Sequence, residues 1–77
     1  MVDVVENYFK TITKYKKLFH FSCDFYHDDI KDKFVVKVSN IVGVTSIKMD
    51  ENFHFINDKL IDSMLDAIKF LDEMKNK

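Results

Sequence analysis

The spacing of apolar positions changes twice along this chain. Near the start, in VDVVENYFKTITKYKKLF, Val5, Tyr8, Phe9, Ile12, Tyr15 and Phe19 recur at steps of three and four, which predicts one face of a helix over 2–18. Asp3 and Glu6 fall in its first turns and Lys14, Lys16 and Lys17 near its end, an order that complements the helix dipole. From Phe19 the period is two. Phe19, Phe21, Cys23 and Phe25 alternate with His20, Ser22, Asp24 and Tyr26, the pattern of a half-buried strand. The polar group from His27 to Asp32 predicts a turn.

A second strand follows in KFVVKVSN, with Phe34, Val36 and Val38 on one face and Val35 and Lys37 on the other. The single glycine, Gly43, marks a turn or bulge within 40–44. VTSIKM (44–49) alternates as a third strand and FHF (53–55) as a fourth. Asn57 reads as the N-cap of a final helix, whose apolar stripe is Leu60, Ile61, Met64, Leu65, Ala67, Ile68, Leu71 and Met74. The predicted order is α-β-β-β-β-α with short connections that favour antiparallel hairpins. An antiparallel sheet with two helices on one face makes an α+β two-layer sandwich, a single domain over 1–77.

Size limits what such a domain does alone. A chain of 77 residues buries only about 60% of its unfolded surface. The single cysteine rules out an intrachain disulfide and, with no signal-peptide pattern at the start, predicts a cytoplasmic setting. Apolar runs are too short for a membrane span.

Composition shifts the picture further. Eight Phe and three Tyr stand against four Leu and one Ala, and Pro, Trp, Gln and Arg are absent. The dominant residues have codons rich in A and T, which points to a low-GC bacterium, a phage or another parasite as source. Twelve Lys against thirteen acids leave a net charge of −1. With no Arg to grip phosphate bidentately and no basic excess, nucleic acid is disfavoured as a partner. A weak phosphate contact by Lys10, Lys14, Lys16 and Lys17 is a minor alternative to a solvated helix face.

Candidate chemistry concentrates in HFSCDFYHDD (20–29). His20, Cys23 and His27 have the linear spacing of metal ligands, but a strand sends His20 and Cys23 to opposite faces. It also sets His27 roughly 20 Å from His20. Cys23 between Phe21 and Phe25 reads as a small core residue rather than a nucleophile. His27, Asp28 and Asp29 read as turn formers. One constellation survives the pleat: His20 and Asp24 on the polar face of the first strand and His54 on that of the last. These three could hold a divalent metal or a small ligand if the two strands paired. No P-loop, dinucleotide-binding glycine run or nucleophile elbow is present.

The apolar surplus carries the leading expectation. Val35 and Val44 alternate out of phase with the core, and with Tyr26, Lys37 and one of Ile41 or Val42 they predict an apolar strip on the open sheet face. Contiguous strips of this kind mark protein interfaces. The sequence therefore predicts a non-enzymatic protein-protein interaction module without a cofactor. It would bind another protein, form a homodimer through the open face, and fit a phage or mobile-element inhibitor of a host protein.

Overall fold

The computed structural model describes residues 3–44, 47–48 and 50–75. Its elements run α1 (Val4–Lys16), β1 (His20–Asp28), β2 (Lys33–Val42), β3 (Phe53–Asn57) and α2 (Leu60–Lys75). The strands form one antiparallel sheet in the order β1-β2-β3, with both helices on one face. This is the α+β two-layer arrangement that the hydrophobic periods predict. Among the described residues there are three strands, not four. In the expected strand 44–49, Thr45, Ser46 and Met49 lie outside the described residues. Val44, Ile47 and Lys48 are not in a strand, and Ile47 N–H donates to the Val44 carbonyl across a turn.

Asp3 caps α1 by accepting from the N–H groups of Val5 (3.0 Å) and Glu6 (3.4 Å). The buried face of α1 is narrower than its apolar stripe. Tyr8 and Tyr15 are buried and Ile12 packs against the core, while Val5 and Phe9 lie on an exposed flank. In α2 likewise Met64, Ala67, Leu71 and Met74 are buried, and Ile61 and Leu65 are exposed. Asn57 ends β3 and does not cap α2. Its side-chain amide instead donates to Ser63 Oγ (3.2 Å) and to Asp66 (2.9 Å).

Two clusters fill the space between the layers. Tyr8, Val36, Met64 and Ala67 form one. The other joins Tyr15, Phe19, Phe21, Val38, Ile41, Leu71 and Met74. Each helix pairs its start with the other's start and its end with the other's end, so the two run side by side in the same direction. Ser63 Oγ donates to the Phe34 carbonyl (2.8 Å), fixing the first turn of α2 on β2.

A bulge in β2 completes the core. His20 pairs with Val42 but Ser22 pairs with Ser39, so β2 carries one extra residue there. Asn40 supplies it, with a left-handed φ of 54°. The extra residue inverts the alternation and turns Ile41 into the helix-side cluster, where it is 1% exposed.

Candidate interaction surface

The face without helices is organised in cross-strand rows, because directly opposed residues of an antiparallel sheet share a face. Tyr26 faces Val35, and Val35 faces Ile56. One step along, Asp24 faces Lys37, and Lys37 faces His54. Beyond the apolar row, Asp28 faces Lys33, whose ammonium is paired with Asp58. An apolar row is thus bracketed by two charged ones.

Tyr26 and Ile56, on the edge strands, are 46% and 45% exposed, whereas Val35 between them is 2% exposed. Both neighbouring strands shield Val35, and the aliphatic stems of Lys33 and Lys37 flank it on the same face. Val42, opposite His20, adds an exposed apolar side chain at the far end of the face. Three of the four residues expected here, Tyr26, Val35 and Lys37, are on this face. The fourth, Val44, follows the bulge and packs against the helix-side cluster instead. Ile56 takes its place in the row. Its signal in the sequence was the alternation of His54 and Ile56 with Phe53 and Phe55.

The candidate metal constellation is not assembled. β1 and β3 lie on opposite sides of β2, so Asp24 and His54 are two strand spacings apart, about 10 Å. Lys37 occupies the register position between them. His20 is a further four residues along β1, about 13 Å from Asp24. Among the described residues no three His, Cys, Asp or Glu side chains are grouped to hold a metal ion.

Cys23 sits inside the sandwich. Its Sγ lies 3.0 Å from the Tyr8 hydroxyl. Burial pushes its thiol up, the opposite of what a thiolate nucleophile needs. Burial and the thiol contact push the Tyr8 hydroxyl strongly up as well.

His27 belongs to the hairpin connecting β1 and β2. Its Nδ1 lies 2.9 Å from Asp29 and its Nε2 3.0 Å from Asp32. Asp28 accepts from the N–H groups of Ile30 (3.1 Å) and Lys31 (3.3 Å), the turn role its sequence suggests. Lys10, Lys14 and Lys17 line one face of α1 beside Thr13, and Lys16 sits apart from them. Lys10 pairs with Glu6 at 2.9 Å, Lys14 lies over the Tyr15 ring and Lys16 over Phe21. No helix among the described residues is long and apolar enough to cross a membrane. Compared with known proteins, the chain matches no family model, and no curated protein or solved structure matches it.

Proposed function

We propose that this chain is a non-enzymatic protein-interaction module whose docking surface for another protein is the open sheet face. The observation that carries this reading is the row Tyr26–Val35–Ile56, apolar, central and free of any covering helix. Apolar side chains held by a sheet are rigid anchors, and the charged rows on either side supply a polar rim, the anatomy of a protein interface. Lys37, between Asp24 and His54, offers a cation at the border of that anchor. A phage or mobile-element inhibitor of a host protein is the biological role that the small size and AT-rich composition favour. The metal and small-ligand alternative has no support in the positions of His20, Asp24 and His54.

Site-specific photo-crosslinking tests the reading. Benzoylphenylalanine at position 56 should give a discrete heavier adduct in the producing cell, and the same group at Lys69, on the outer surface of α2, should not. Equal labelling from both positions, or no adduct with another protein from position 56, would overturn it.

A further inference from the structure

We propose that the chain pairs with a second copy of itself through the free edge of β1, in an antiparallel two-fold register centred on Phe25. The proposal rests on the reading of the chain as an interaction module and assigns its self-association to a surface other than the open face.

The edge is unprotected. β1 is an edge strand of nine residues. Edge strands of this length are normally blunted by lysine, proline or a bulge. β1 contains no lysine or proline, and the sheet's extra residue lies in β2. The carboxylates of β1, Asp24 and Asp28, both lie on the open face and leave the helix side of the edge apolar at Phe25. From Ser22 to Asp28 the strand pairs residue for residue with β2 on its inner side. Its outer side presents a regular row of main-chain donors and acceptors.

Apolar side chains flank that row on both faces. On the helix side Phe25 is 46% exposed and Phe9 of α1 is 50% exposed, their rings 6.5 Å apart edge to face. On the open side Tyr26 is half exposed. A strand added along β1 covers all three.

Side-chain complementarity across the seam points to a second copy and to this register. With Phe25 facing Phe25, each Asp24 faces Tyr26 of the other copy, and each Ser22 faces Asp28 with a hydroxyl to donate. The contact thus gains a Ser22–Asp28 hydrogen bond at each end. Centring on Asp24 would set two carboxylates face to face, which is destabilising. Stacking the open faces is worse matched. A two-fold axis along β2 puts Lys37 on Lys37, and one along the apolar row puts Lys37 on Lys33 and Asp24 on Asp28. Edge pairing avoids these clashes, gives the closed two-fold that dimers favour, and joins two open faces into one six-stranded surface.

The test combines sedimentation with cysteine crosslinking. The wild-type chain should sediment at twice its chain mass, Phe25→Glu at one chain mass with an unchanged far-ultraviolet spectrum, and Ile56→Asp still at twice. Directly opposed Cα atoms in an antiparallel pair are about 4.5–5.5 Å apart, within disulfide reach. In a Cys23→Ser background, cysteine replacing Phe25 should therefore oxidise to a covalent dimer, and cysteine replacing Ile56 should not. Crosslinking at 56 instead of 25, or dissociation by Ile56→Asp, would overturn the edge and place self-association on the open face. A chain monomeric at every concentration would overturn it too, while leaving the photo-crosslinking result at position 56 to decide the docking of another protein.

Discussion

Val35, on the sheet face that carries no helix, is 2% exposed, nearly as buried as Val36 on the helix side at 0%. Central position in a three-stranded sheet does for Val35 what two helices do for Val36. Val35→Ala should then cost about 2 kcal/mol, two methyl groups' worth of transfer plus the cavity they leave. Val35→Asp would bury an unpaired carboxylate and should unfold the domain rather than only block docking. Urea denaturation followed by circular dichroism measures both. A cost near zero for Val35→Ala would mean that the row is solvated, and Tyr26 and Ile56 would lose their anchor.

The bulge in β2 makes a backbone prediction. Asn40 holds φ at 54°, a region costly for β-branched residues, and donates from Nδ2 to Ser22 Oγ at 3.3 Å. Asn40→Val should lose about 1–2 kcal/mol, and Asn40→Gly should be close to neutral. Three residues on, Gly43 has φ 104°, and an added Cβ would lie 3.2 Å from Phe19 Cβ. Gly43→Ala should therefore destabilise by about 1 kcal/mol or more. Equal stability of Asn40→Val and wild type in thermal melts would show that Ile41 reaches the core without the bulge.

The same segment shows where the sequence stops being legible. Both helices and the hairpin β1–β2 are written in local periods of 3.6 and 2, which depend only on near neighbours. Asn40 looked like part of the turn at Gly43, because a single left-handed residue leaves no periodic trace. Its consequence, the inward turn of Ile41, follows only once the register with His20 and Ser22 is known. Strand order is similarly non-local. His20, Asp24 and His54 shared a polar face in the alternation, yet β2 inserts between them, and nothing in either strand encodes that separation. The exposure of Phe9 and Phe25 had the same cause: both lie on an apolar stripe, but at an edge that only the sheet order reveals.

The contact between Tyr8 and Cys23 predicts a slow thiol. The Tyr8 hydroxyl is in a residue 1% exposed, and Cys23 Sγ at 3.0 Å is its only side-chain hydrogen-bond partner among the described residues. Burial raises the Cys23 thiol and so suppresses the thiolate. Labelling by a disulfide reagent at pH 8 should be much slower in the folded chain than in urea. Cys23→Ala should cost about 1–3 kcal/mol by orphaning the tyrosine hydroxyl, and Tyr8→Phe in that background should recover part of the loss. Labelling as fast as in urea would place the thiol on the surface.

His27 gives a pH dependence with a definite sign. Both ring nitrogens face carboxylate oxygens, Asp29 at 2.9 Å and Asp32 at 3.0 Å, and only the protonated ring can donate to both. Those hydrogen bonds, Asp29 first, raise the imidazole above its ordinary 6.5. Because the folded value is the higher one, protonated His27 contributes stability that is fully present below the unfolded value near 6.5. That contribution is lost as pH rises through the folded value. The stability difference between wild type and the double variant Asp29→Asn, Asp32→Asn should therefore be larger at pH 5.5 than at pH 9. A proton magnetic resonance titration should show the His27 midpoint above 6.5, with each single Asn substitution lowering it. The Asp29 and Asp32 side chains are more than nine-tenths exposed, so salt should shrink the effect by screening. A midpoint at or below 6.5 would mean that the two aspartates do not hold the ring in solution, and the β1–β2 turn would then rest on the Asp28 contacts to Ile30 and Lys31.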